Sequence, residues 1–258
     1  MNSELTNDKQ ANDNKVDSQF TTHNSLVKAI AFTLAETLVV MGIIGVVAAL
    51  TIPNLNQSTG DREKVAKVKK IYSNLEDAFG RATAVYGPLE TWFVNDGNDA
   101  TVMTNRFADR ITEFMKISKS CEYEDSGCLA SAYKTLEGDS IASPRYDLGI
   151  LKKFSLADGT GIGFYYDQSN SMIWVDIDSV KGSNIYGKDY FMFDIDENNG
   201  ILPTGSDDSN SALISHCFNV GIACTGWVIN SGNMDYLKTK EGICPNGTEL
   251  TWENTTCK

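Results

Sequence analysis

Residues 29–52 read AIAFTLAETLVVMGIIGVVAALTI, 24 positions whose only charge is Glu36. As an α-helix the stretch measures about 36 Å at ~1.5 Å per residue, enough to cross a ~30 Å hydrocarbon core with some tilt. It therefore predicts a membrane span. A secretory signal peptide has a shorter apolar core that is discarded at a small-residue cleavage site, whereas here the apolar run leads straight into more helical sequence. Residues 1–28 are polar, rich in Asn, Asp and Ser and without apolar periodicity, so no fold of their own is expected. A carboxylate at mid-span costs roughly 2.5–3.5 kcal/mol on insertion scales, which makes Glu36 a functional residue in need of a partner.

Working outward, Pro53 lacks a backbone N–H and predicts a kink or local melting of the helix, with a short break over residues 54–60. The helical pattern then resumes. Val65, Val68, Ile71, Tyr72, Leu75, Ala78, Phe79, Ala82 and Val85 fall on one face at helical spacing, so a second amphipathic helix extends the span into a spine that seats a globular head. Arg62, Lys64, Lys67, Lys69 and Lys70 lie just beyond the span, and residues 61–81 carry six basic and four acidic groups. Residues 82–258 carry 13 basic and 25 acidic groups, a balance of −12. A basic collar thus precedes an acidic head, and in a helical array one subunit's collar would face another's head.

Residues 28–55, KAIAFTLAETLVVMGIIGVVAALTIPNL, resemble the start of type IV pilins and pseudopilins. The resemblance implies a prepilin leader, residues 1–31, removed by prepilin peptidase between Ala31 and Phe32, with N-methylation of Phe32. It implies that Glu36 is the family's acidic residue, pairing in assembly with the Phe32 amino group of a neighbour, and that Pro53 is its helix-kinking proline. The partners that follow are further pilin subunits, of this chain or others, the prepilin peptidase, an inner-membrane assembly platform and membrane lipid. The location that follows is the inner membrane with an extracytoplasmic head, then a surface pilus or periplasmic pseudopilus. The basic flank beyond the span alone favours the opposite orientation; the prepilin pattern and the cysteines override it.

The expected organisation is a spine over residues 32–86 and a head over 87–258, the latter comprising an αβ loop (87–153), a β-meander (154–203) and a Cys-rich region (204–258). Val102, Met103, Phe107, Ile111, Phe114 and Met115 predict a helix over 101–117. From Phe154 the period changes to that of strands, with hairpin turns at Asp158-Gly159 and Asn199-Gly200 and a polar connection at 168–170. Three to four or more antiparallel strands follow, with an extra strand at 227–229. The fold class is α+β, a long N-terminal helix packed on an antiparallel sheet, which is also what the resemblance implies.

All six cysteines, Cys121, Cys128, Cys217, Cys224, Cys244 and Cys257, lie beyond the span. They lack the C-x-x-C pairs of redox or zinc sites, so three disulfides in an oxidising compartment are expected. Neighbours in sequence close the shortest loops, giving Cys121–Cys128, Cys217–Cys224 and Cys244–Cys257, with a turn at Val220-Gly221 setting Cys217 opposite Cys224. The four C-terminal cysteines have other pairings open to them.

The net charge of −12 repels phosphate backbones, so nucleic acid is not an expected partner. No cofactor is expected, with one candidate exception. Asp176, Asp178, Asn184 and Asp189 surround a Gly-rich loop whose oxygens can hold calcium, as the head loop of some secretion pseudopilins does; the competing reading is a polar connection with turn-forming aspartates. Asp194, Asp196 and Asn198 resemble the start of a calcium loop but lack its Gly and closing Glu, and read better as a hairpin turn. His216 is the only histidine beyond the leader and precedes a structural cysteine, so no catalytic residues and no enzymatic activity are expected. Trp92, Trp174, Trp227 and Trp252 read as core before they read as a sugar-binding face. The functional expectation is a structural, filament-forming subunit. The alternative is a membrane-anchored binding protein, with an adhesin or lectin-like head, that does not polymerise.

Overall fold

Val65, Val68, Ile71, Leu75, Ala78 and Ala82 are all buried. They form the inward stripe of helix α1 (Leu34–Tyr86), the element on which the head is built. The computed structural model describes residues 33–94, 97, 99–121, 127–142, 151–167 and 169–257, without the side chains of 50–58 and 141–142. The chain divides into two units, Met1–Leu50 and Thr51–Lys258, and α1 contributes to both. Its backbone stays helical through Pro53 and residues 54–60, so the expected break is absent. A proline removes one hydrogen bond of the ladder, and here helix resumes on both sides. The stripe departs from expectation only at its end: Val85 is exposed, and Tyr86, four residues beyond Ala82, packs against the core in its place.

Among the described residues no single helix is long and apolar enough to cross a membrane; the apolar helical stretch is Leu34–Ala49. The first four positions of the expected span, 29–32, lie outside the described residues, as does the rest of the leader.

Helix α2 (Ala100–Thr112) is capped by Asp99, whose carboxylate accepts from the N–H groups of Thr101 and Val102 at 2.9 and 3.2 Å. It buries Met103, Phe107 and Ile111, leaves Val102 exposed, and ends five residues before the expected limit because Ile117 already begins a strand. Strands follow as β1 (Ile117–Cys121), β2 (Ala132–Lys134), β3 (Ser140–Ala142), β4 (Lys152–Leu156), β5 (Gly161–Tyr166), β6 (Ser171–Asp176), β7 (Tyr190–Asp196) and β8 (Gly200–Pro203). Six of them form one antiparallel sheet in the order β1-β4-β5-β6-β7-β8, while β2 and β3 pair separately. The expected meander is therefore present, extended by β1, which pairs with β4.

Both faces of the sheet are covered. Phe154, Ile162, Phe164, Val175, Phe191 and Phe193 share a core with the α1 stripe and α2. Trp174, Tyr165, Tyr190 and Met192 point the other way and pack with Leu129, Tyr133 and Tyr186. Double coverage explains why β5, GIGFYY, is buried at every position and reads as a continuous run instead of an alternation. Gly161 is required there: a Cβ on it would lie 2.0 Å from the Cys128 carbonyl oxygen.

The C-terminal region is helical where a strand is expected. The short α3 (Asn210–Ala212) continues as a π-helix (Leu213–Asn219), and α4 (Cys224–Ser231) contains Trp227 and Val228. The run TGWVIN is too short for its period to separate helix from strand, and Gly232, at φ 71°, closes the helix in the left-handed conformation.

Candidate functional site

The described residues of the Met1–Leu50 unit start at Thr33. Its N–H and hydroxyl donate to Glu36 Oε2 at 2.9 and 3.1 Å, and the Glu36 N–H donates to Thr33 Oγ1 at 3.2 Å. Thr33-Leu34-Ala35-Glu36 is thus a reciprocal capping box, whose sequence signal is T-x-x-E ahead of an apolar run. Both bonds to the carboxylate land on Oε2; among the described residues none is made to Oε1. Behind this cap, Leu38, Val39, Met41, Ile43, Ile44 and Val46 are between 59% and 72% exposed. Among the described residues nothing covers them. Ala31 and Phe32 lie outside the described residues, and Pro53 is described only as helical backbone.

In the second unit the basic collar finds partners within its own chain. Lys64 and Lys67 lie 4.0 and 3.6 Å from the Asp178 carboxylate, and Lys70 Nζ donates to Asp158 Oδ2 at 2.7 Å. Burial works to raise the Asp158 carboxyl, but the Lys70 ammonium and the Thr160 hydrogen bonds outweigh it and hold the group below the ordinary range. The attraction expected between collar and head of different subunits is present inside one.

The four calcium candidates lie on or beside one loop; two of the carboxylates already have hydrogen-bond donors and the third is ion-paired. Asp176 is fully buried and accepts from the Tyr133 hydroxyl at 2.7 Å and the Asp178 N–H at 3.1 Å. Asp189, also buried, accepts from the Ser183 and Ile185 N–H groups at 2.9 and 2.6 Å and from the Ser183 hydroxyl. Asp178 faces the two lysines. Asn184 holds a positive φ of 53° and its buried Oδ1 makes no hydrogen bond. Among the described residues no three His, Cys, Asp or Glu side chains are grouped to hold a metal ion. Desolvation, with Asp189 and Asp178 as like charges, raises Asp176 to about 7 against the opposing hydrogen bond from Tyr133.

The three disulfides are Cys121–Cys128, Cys217–Cys224 and Cys244–Cys257. The middle one joins the π-helix to the start of α4 and not the arms of a β-hairpin. Cys217 is held in the second of them, and its neighbour His216 places Nδ1 3.1 Å from Asp208 Oδ2. Trp92, Trp174 and Trp227 are buried, and Trp252 packs on Trp227 with ring centroids 5.4 Å apart. Asp196 Oδ1 accepts from the N–H groups of Asn198 and Asn199 at 2.9 and 2.7 Å, the hairpin turn expected there.

One feature has no counterpart in the sequence reading. A cavity of about 620 Å³ opens on the second face of the sheet, between β6, β7, the turn after β8 and the 215–223 segment. No family model, no curated protein and no solved structure matches this chain significantly.

Proposed function

We propose that this chain is a structural subunit of the type IV pilin or pseudopilin kind, processed at Phe32, held in a membrane by its apolar N-terminal helix and assembled through that helix into a filament. The observation that carries the reading is the uncovered apolar face of Leu34–Ala49, part of the same helix whose later stripe forms the core of the head. An apolar surface of that extent must be covered by lipid or by other copies, and the prepilin-like pattern around it favours both in turn. The alternative, an anchored binding protein that never polymerises, uses the same helix but has no need of Glu36.

The capping box refines the role of Glu36. Bonds from Thr33 offset part of the cost of a carboxylate in lipid, and Oε1 stays available to a neighbour's ammonium. Glu36→Gln preserves the box, since glutamine serves equally at that position, but removes the charge; Glu36→Leu removes both. Both variants should reach the membrane, lose residues 1–31 and keep their disulfides, yet fail to enter filaments, as judged by mass spectrometry and by electron microscopy with a labelled subunit. Normal incorporation of Glu36→Gln would refute charge pairing. Normal incorporation of both would refute assembly through this carboxylate and favour the anchored binding protein.

A further inference from the structure

We propose that the head carries a binding site for a small organic cation, an ammonium or guanidinium on an apolar body, in the cavity on the second face of the sheet. The proposal is independent of whether the chain polymerises.

The site follows from strand register. Pairing of β6 with β7 sets Met172 opposite Asp194 and Trp174 opposite Met192, so Asp194 stands on the same face as an apolar floor of Met172, Trp174 and Met192. The opposite wall brings Val220, Ile222 and Ala223. That wall is braced: the Cys217–Cys224 disulfide closes the turn that carries it, and a Cβ on Gly205 would lie 2.2 Å from the Ala223 carbonyl oxygen, so the turn after β8 presses directly on it. The cavity, at about 620 Å³, falls within the ~300–1,000 Å³ of small-molecule sites.

Charge selects the ligand. Asp194, Asp207 and Asp208 line the cavity, and no Lys or Arg does; His216, beside Asp208, is the one basic side chain among the lining residues. Burial raises the Asp194 carboxyl, the nearby Thr204 hydroxyl, whose buried Oγ1 makes no hydrogen bond, only partly works against this, and the negative charges of Asp207 and Asp208 raise it further. An anion would be repelled by three carboxylates, and a pure hydrocarbon would strip water from Asp194 without replacing it. A bare metal ion is unsuited, because the acids are not grouped to share one. A cation borne on an apolar body satisfies both the floor and the rim.

The test uses phenethylamine, 2-phenylethanol and 3-phenylpropionate, one apolar body with positive, neutral and negative ends, titrated calorimetrically into the full chain in neutral detergent against empty micelles. Phenethylamine should bind saturably and at least about tenfold more tightly than the alcohol, the factor expected of a charge-assisted contact, and the propionate should not bind. Asp194→Asn should remove about that factor. Asp207→Asn, at an exposed position, should weaken binding by a smaller factor and keep the fold. Equal binding of amine and alcohol by the unmutated chain overturns the proposal even if Asp194→Asn fails to fold. Undiminished amine binding by both variants, with circular dichroism and disulfides unchanged, also overturns it.

Discussion

Replacing Asp176 with Asn should stabilise the head at pH 8 and leave it nearly unchanged at pH 4. Asp176 is fully buried, and its carboxyl is raised from an ordinary 3.8 to about 7 by desolvation and the nearby Asp189 and Asp178 charges, despite the Tyr133 hydrogen bond. A raised carboxyl binds its proton more tightly in the folded state than in the unfolded one. Its contribution is therefore fully present below about pH 4, is lost progressively between about pH 4 and 7, and stays lost above 7, leaving the penalty of a buried charge. A difference of about 3 between the two values corresponds to roughly 4 kcal/mol at ~1.4 kcal/mol each. Asparagine carries no charge at any pH, so it escapes that penalty. It keeps only one side-chain oxygen acceptor for the Tyr133 hydroxyl and the Asp178 N–H, a cost of about 1 kcal/mol at every pH. Net stabilisation of roughly 2–3 kcal/mol at pH 8, falling to zero or slightly below at pH 4, is expected from urea unfolding of the disulfide-intact protein. Asp158 and Asp196 are lowered and so lose stability as pH falls through their folded values; they act equally in both proteins and cancel in the comparison. A difference between wild type and variant that does not change with pH would refute the assignment of a proton to Asp176.

Gly161→Ala should destabilise the head by more than about 2 kcal/mol, because its Cβ would meet the Cys128 carbonyl. Gly80→Ala, with open space around it on α1, should stabilise by about 0.5–1 kcal/mol; melting temperatures of the two variants would separate the cases. The six cysteines should resist alkylation until a reductant is added, and Cys244→Ser with Cys257→Ser should cost about 2–3 kcal/mol. Lys64→Ala with Lys67→Ala should lower stability by no more than about 1 kcal/mol, since both lysines and Asp178 are partly exposed, and added calcium should not restore it; recovery of the melting temperature by calcium would mean that the loop accepts a metal once the lysines are gone.

The α1 stripe, the meander and all three disulfides were legible because each rests on local signals: a 3.6-residue period, turn dipeptides between strand-like runs, and the low entropy of short loops. Strands β1, β2 and β3 were not legible, since ISKSC, AYK and SIA are short and show no clean alternation. α4 is hidden because the strand expected at 227–229 rests on an apolar run too short to carry a period, and the capping box is hidden by the apolar run in which Glu36 stands as the only charge. The cavity was beyond reach in principle. Asp208 and His216 are only eight residues apart, but nothing in that spacing puts them beside Asp194, Met172 and Trp174; only the β6–β7 register and the fold of the C-terminal segment bring them to one place.

The three disulfides span separations of only 7, 7 and 13 residues, and this shapes how the protein can be made. Each ring closes within a short stretch of chain, so oxidation need not wait for the sheet to assemble. No bond encloses another, and no order among them is imposed. A mispaired bond would have to close a longer ring than any of these three. Oxidative maturation of this head is thus a series of independent local events, and an isomerase has little to correct.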